Sequence, residues 1–236
     1  MRRFLLFPLI ATAACGDSSG PTPGFECLGV PIPTTAPATV VVSGQIRANA
    51  FSPTAVSGAI ITAFRTGNAT LLVADTSDTP GFYSLSIATG GTPVDGYLQV
   101  THSGQLDTYA YPSRPLFADL TSNVLMPTSN ELVFLGTAVG VTQTAGNGFI
   151  GVIVKDCNGT TVAGAQVFTT PPGTVRYNSG STPSGSATST SSDGVAYVFN
   201  VPAGNAIVQS NAAGNVLRQH TVNARADVVT LTEIQP

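Results

Sequence analysis

Tryptophan is absent from this 236-residue chain, lysine occurs once, at Lys155, and histidine occurs only at His102 and His220. Charged residues make up 9% of the sequence, against a usual share of about 25%. With so few bases there is no cationic stripe, and nucleic acid is excluded as an expected partner. Two separated histidines, with no HxH, HExxH or CxxC around them, cannot complete a tetrahedral metal site alone. Each is expected on a strand or turn surface. Asp75, Asp78, Asp107 and Asp119 stand singly, not in the run of a calcium-binding loop. No metal and no other cofactor is expected.

What the chain does have is glycine (25), proline (17) and a hydrophobic share of 42%. That share is enough to form a core, so disorder is not expected. With charge scarce, the wet surface has to be built from Ser, Thr, Asn, Gln and Gly. Together with abundant Val, Thr and Ile, this is the composition of an exported all-β protein.

The amino terminus carries the most specific signal. Arg2 and Arg3 precede FLLFPLIATAA (4–14), an apolar run too short to span a bilayer and ending in small residues, which reads as a signal peptide over 1–14. Thr12-Ala13-Ala14-Cys15 resembles the lipobox of bacterial lipoproteins, although Thr12 stands where Leu or Val is usual. The resemblance implies acylation of Cys15 and a membrane partner reached through a lipid anchor. Two or three acyl chains, at ~0.8 kcal/mol per buried methylene, hold a protein on a bilayer essentially permanently. Gly16, rather than Asp, after the cysteine points to the outer membrane or cell surface. Residues 15–38, rich in Gly, Pro, Ser and Thr, read as a tether.

Beyond the tether the chain repeats itself. Gly44, Gly58, Gly81 and Gly96 stand 107, 106, 113 and 108 residues before Gly151, Gly164, Gly194 and Gly204, each in similar surroundings. A near-constant offset over four blocks points to tandem units of domain size. Each unit holds short β-rich runs broken by turns, among them Asn158-Gly159, which fits a two-residue type I′ turn. The expected organisation is all-β: two tandem Ig-like β-sandwiches over 39–126 and 148–236. A helix and linker over 127–147 join them, with Thr128 and Glu131 as a capping box and Leu132, Leu135 and Val139 on one helical face. Gly136 and Gly140 are expected to weaken that helix.

Gly151, Val154, Asp156, Gly159, Val162, Gly164, Ala165, Val167, Asp193, Gly194, Pro202 and Gly204 carry a pattern that resembles the carboxypeptidase regulatory-like, or transthyretin-like, β-sandwich family. The first copy keeps Gly44, Val56, Gly58, Ala59, Gly81 and Tyr83 but lacks the Asp-Gly turn. The resemblance implies non-catalytic modules with stabilising, carbohydrate-adjacent or adhesive roles.

With Cys15 acylated, Cys27 and Cys157 are the remaining thiols, and in an oxidising compartment they are expected to pair. Two free buried thiols or an intermolecular bridge are the other readings. A bond would pin the distal end of the tether onto the second unit. Gly16-Asp17-Ser18-Ser19-Gly20 satisfies G-x-S-x-G, but it lies in a Gly/Pro tether without the strand and helix that a nucleophile elbow needs. QLDTYAYPSRPLF (105–117) is the most unusual text. Tyr109 and Tyr111 alternate onto one side of a strand, and Pro112 and Pro115 flank Arg114, so these three residues are the candidates for a sugar or peptide platform. The competing reading has the tyrosines covering a core edge, with Arg114 paired to Asp107 or Asp119. The Ser/Gly-rich run 177–194 reads as a long loop or hairpin tip.

The expected function is therefore that of a non-catalytic envelope lipoprotein, structural, adhesive or scaffolding, with an envelope protein or a glycan as partner. The second reading is a glycan-binding or small-ligand-binding protein using the Tyr109–Phe117 edge. No enzyme is expected, since no nucleophile–base pair or carboxylate pair is legible.

Overall fold

The computed structural model describes residues 22–49 and 52–236. The signal-peptide stretch 1–14, Cys15 and the 16–20 G-x-S-x-G match lie outside the described residues. The first half runs β1 (Thr39–Ala48), β2 (Thr54–Ala55), β3 (Ile60–Arg65), β4 (Leu71–Thr76), β5 (Phe82–Ala88), β6 (Gly96–Thr101), β7 (Thr108–Tyr111), β8 (Leu120–Thr121) and β9 (Val124–Met126). After α1 (Ser129–Ala138) come β10 (Asn147–Val154), β11 (Gln166–Thr170), β12 (Thr174–Ser179), β13 (Thr182–Ser184), β14 (Val195–Pro202), β15 (Gly204–Ala212), β16 (Asn215–Val216), β17 (His220–Ala224) and β18 (Val229–Ile234). The fold is an all-β sandwich with one short helix.

Period-two alternation explains the strands. In β5, Tyr83, Leu85 and Ile87 point inward while Phe82, Ser84 and Ser86 face water. Leu85 and Ile87 are almost completely buried, and each burial contributes roughly 1.5–3 kcal/mol.

Three sheets result. A nine-stranded sheet in the order β13-β12-β14-β10-β18-β7-β6-β3-β4 draws strands from both halves of the chain. They meet where β18 lies parallel to β7, with Val229 opposite Thr108 and Thr232 opposite Tyr111. The smaller sheets are β1 with β2, β5, β8 and β9, and β15 with β11, β16 and β17.

Register decides which face each small sheet covers, because directly paired residues share a face. One row runs Ala63, Leu98, Ala110, Leu231, Gly151 and Tyr197 across six strands. At its first-half end this face packs Ile61, Ala63, Leu98 and Val100 against Val40, Val42, Leu85 and Ile87 of the β1 sheet. At its second-half end it packs Phe149, Phe199 and Val229 against Leu135 and Val139 of α1. The opposite face packs Ile150, Val152 and Val198 against Val167, Val208 and Val222 of the β15 sheet. The two small sheets therefore cover opposite faces and opposite halves of the nine-stranded one.

The matched glycines reappear in hydrogen bonding. Ile46 N donates to Gly81 O and Val56 N to Ile46 O, both at 2.9 Å; Val154 N to Gly194 O and Val162 N to Val154 O repeat the pair at 2.9 Å. At both Gly81 and Gly194 φ is positive, and an added Cβ would come within 3.0 Å of backbone or a branched side chain. Only glycine fits there.

Thr128 caps α1 in a reciprocal box with Glu131, as the sequence predicts. The two helix glycines differ from expectation. Gly136 lets Val141 O approach to a distance at which a Cβ would sit 2.5 Å away, and Gly140, at φ +70°, ends the helix. The type I′ reading of Asn158-Gly159 is also corrected. Only Gly159 has positive φ, Gly159 N bonds Asp156 O, and Asp156 Oδ1 accepts from the N–H groups of Asn158 and Thr160. The aspartate side chain, not a mirror-image turn, organises this loop.

Residues 22–30 do not run free as a tether. Phe25 is buried in the second-half core beside Leu28, and Cys157 N donates to Gly24 O at 2.8 Å. Cys27 and Cys157 form a disulfide with Cα atoms 5.7 Å apart.

Candidate functional site

The parallel run of β7, β18 and β10 gathers three carboxyl ends on one side of the central sheet. Beside them a groove of about 610 Å3 opens, lined by the 112–123 segment, α1 and the β12–β13 hairpin. Its floor is the row Ala110, Leu231, Gly151 and Tyr197. Gly151 makes room for a neighbour in this floor: it sits in mid-strand between Leu231 and Tyr197, and an added Cβ would meet Leu231 Cδ2 at 2.9 Å. Glycine inside a strand often marks a place where something else approaches closely.

The groove has unlike ends. Where β10 and β18 begin, Phe149 and Val229 meet Leu132 and Leu135 of α1, with Pro127 alongside. At the carboxyl ends stand Ser113, Arg114, Glu233 and Gln235. There Ser113 Oγ and Gln235 Oε1 are 3.2 Å apart, and Glu233 forms an ion pair with Lys155. Tyr197 OH donates to Asn178 Oδ1 at 3.0 Å, and burial of the ring raises its pKa.

The three sequence candidates part company. Tyr109 and Tyr111 do share one face, but it is the face opposite the groove floor, where they join Phe64 and Tyr97. Tyr97 lies 5.1 Å from Tyr111 and 6.1 Å from Tyr109, ring centre to ring centre. Arg225, from the β17–β18 connection, closes this cluster. Its guanidinium lies 3.8 Å from the Tyr109 centroid and 4.9 Å from that of Tyr97, and Nη1 donates to Tyr111 OH at 2.9 Å. Burial raises the pKa of both Tyr109 and Tyr111, and Arg225 partly offsets it. Tyr111 is only 6% exposed, so its ring supplies packing and not a platform. Arg114 is exposed and stands over Phe117 at 5.2 Å at the rim of the groove. It pairs with neither Asp107 nor Asp119; Asp119 Oδ1 accepts from Val41 N and Asp107 O from Val229 N.

His220 departs from its surface reading. Nε2 lies 2.6 Å from Thr232 Oγ1, and burial lowers the pKa to about 4. Asp75 caps the N–H groups of Thr76 and Ser84, and Asp78 that of Phe82. Among the described residues no group of three or more His, Cys, Asp or Glu side chains lies close enough to hold a metal.

Sequence reasoning missed Gly151, Leu231 and Tyr197 as groove residues and Arg225 as the clasp. A glycine in a strand with no turn signal around it was the available sign for the first.

No protein-family model and no curated protein matches the chain. Among solved structures it is similar to hydroxyquinol 1,2-dioxygenase from Pseudomonas putida DLL-E4, at 12% identity over 39% of this chain and 57% of that one, with a TM-score of 0.29. The shaft pilin SpaA from Lactobacillus rhamnosus GG matches at 10% identity over 84% of this chain and 98% of that one, TM-score 0.29. A streptococcal ancillary pilin matches at 11% identity, 84% and 62%, TM-score 0.27. The chain spans about three fifths of the length of the dioxygenases it matches. Likenesses this distant carry no argument about activity.

Proposed function

We propose that this chain is an exported, non-catalytic binding protein, anchored to a membrane through acylated Cys15, that holds an apolar ligand in the groove where its two halves meet. On this reading the halves are tandem transthyretin-like sandwiches. The hollow over Gly151 carries the proposal. It is built from both halves, its volume of about 610 Å3 falls within the roughly 300–1,000 Å3 of small-molecule sites, and its floor is apolar. A mainly apolar lining with a few polar groups at one end suits binding better than chemistry. The Tyr109–Phe117 edge contributes Tyr111, Arg114 and Phe117 to the groove lining, but not Tyr109.

Nile red titrated into the full chain tests this. Fluorescence enhancement that saturates at one dye per chain, and is lost in Gly151→Phe and in Leu132→Trp, is the expected result. Enhancement that is absent, or equal in all three proteins, overturns the reading.

A scaffolding role is the second reading, favoured by the β7–β18 pairing and the Cys27–Cys157 bond, which together tie both halves and the incoming segment into one body. It predicts a partner that binds wild type and the groove variants alike.

A further inference from the structure

Resting on the binding function just proposed, the unlike ends of the groove specify a ligand class. The buried end is walled by hydrocarbon: Phe149, Val229, Leu132 and Leu135 provide no polar side-chain atom. A ligand group there must make no hydrogen bonds, because an unmet donor or acceptor buried among these side chains is costly. The other end offers charge of both signs. Glu233 is matched by Lys155, and exposed Arg114 stands five positions before Asp119 on the rim segment 114–119. Glu131, which also lines the groove, is engaged at the N-terminus of α1 in the capping box. Asp119, Glu131 and Glu233 outnumber Arg114 in the lining, so an anionic head meets net repulsion, whereas a head carrying both charges sets its cation toward the carboxylates and its phosphate at Arg114. Arg114, with no carboxylate paired to it among the described residues, is the group for a phosphate.

From this polarity we propose that the groove takes a single-chain zwitterionic phospholipid, its acyl tail lying over Gly151 toward α1 and its head group at Arg114 and Glu233. The ligand is held as a guest, with no covalent step.

The test is calorimetric titration of n-alkylphosphocholines with eight, ten and twelve carbons, each below its micelle concentration. The full chain carries Cys15→Ser so that its own acyl groups do not compete. The expected result is one site per chain, tightening about threefold to fourfold per added methylene, the factor set by hydrocarbon burial. Alkyl sulfates and alkyl maltosides of equal tail length should bind about fivefold or more weakly. Arg114→Glu, at an exposed position where folding is not at stake, should weaken the phosphocholines by about fivefold, the scale of one solvent-exposed ion pair. Leu132→Trp should abolish binding, and Gly151→Phe should do the same if it folds. Affinity independent of tail length, or sulfates binding as tightly as phosphocholines, overturns the lipid assignment. If Nile red still binds at one site while no alkyl amphiphile does, the lipid class falls and the groove remains a ligand site. If neither binds, both fall together.

Discussion

Ser77 and Thr190 occupy the same place in the two halves, and each makes the same four hydrogen bonds. Ser77 N donates to Ala59 O, its Oγ donates to Val56 O, and its Oγ and O accept from Ala59 N and Gly58 N. Thr190 does the same with Ala165 O, Val162 O, Ala165 N and Gly164 N. Both residues are nearly fully buried. Each hydroxyl stitches the turn before one strand to the segment after it, where two chain passes would otherwise leave backbone groups without partners.

Ser77→Ala and Thr190→Val should therefore each destabilise the chain by about 1–3 kcal/mol, since removing the hydroxyl leaves a buried N–H and C=O unmet. Ser77→Thr should cost much less. Urea midpoints at constant m-value measure both. If Ser77→Ala and Ser77→Thr shifted the midpoint equally, the hydroxyl would not be the operative group.

The Arg225 clasp makes a separate claim. Its guanidinium is stacked on Tyr109 and hydrogen-bonded to Tyr111, and so joins the β17–β18 connection to first-half strands. A double-mutant cycle of Arg225→Met with Tyr109→Leu should show a coupling of about 0.5–2 kcal/mol. Additive effects would mean the stack contributes nothing. Lys in place of Arg should not restore it, because an ammonium lacks the planar fork that serves both tyrosines.

Sequence exposed some levels of this structure and hid others, for physical reasons. The repeat was visible because Gly81 and Gly194 are forced by positive φ and by backbone at their Cα atoms, leaving one residue type at a fixed offset. The capping box was visible because Thr128 and Glu131 signal through local spacing. The partner of β7 was not visible. β18 lies more than a hundred residues downstream, and Thr108 opposite Val229 has no complementary pattern to announce it. Tyr109 and Tyr111 alternate as read, but whether that side faces water depends on Arg225, which sits in a connection with no motif. The groove could not be read for the same reason: Leu231, Gly151 and Tyr197 become neighbours only through pairings between distant strands.

The Cys27–Cys157 bond closes a loop of 130 residues, and its loss should matter beyond the bond itself. Cys27→Ser with Cys157→Ser should destabilise by about 2–5 kcal/mol, on the chain-entropy account. Residues 22–38 should also become sensitive to protease, because Phe25 and the Cys157 N to Gly24 O bond would then hold the segment alone. Urea unfolding with and without reductant measures the first effect, and limited proteolysis with mass mapping the second. Unchanged cleavage in the double variant would show that Phe25 suffices as an anchor.

His220 gives the chain a specific acid sensitivity. Thr232 Oγ1 donates to Tyr111 O at 3.1 Å, so the hydroxyl accepts from His220 Nε2–H, and the neutral ring carries its proton there. The other nitrogen, Nδ1, is buried with no hydrogen-bond partner among the described residues. A second proton would have to go to that atom, which is why burial lowers the pKa to about 4 against about 6.5 in an unfolded chain. Between these values the unfolded state binds more protons than the folded one. The histidine's contribution is therefore full above about pH 6.5, falls as pH drops from there to about 4, and levels off below. The loss amounts to as much as about 3 kcal/mol at 1.36 kcal/mol per pH unit. Carboxylates titrate at the acid end of the same range, so the readout is the difference between wild type and His220→Gln in urea unfolding from pH 7.5 to 4. That difference should shrink steadily with acidification. A constant gap across the range would mean that His220 takes up its proton equally readily in the folded and unfolded chain.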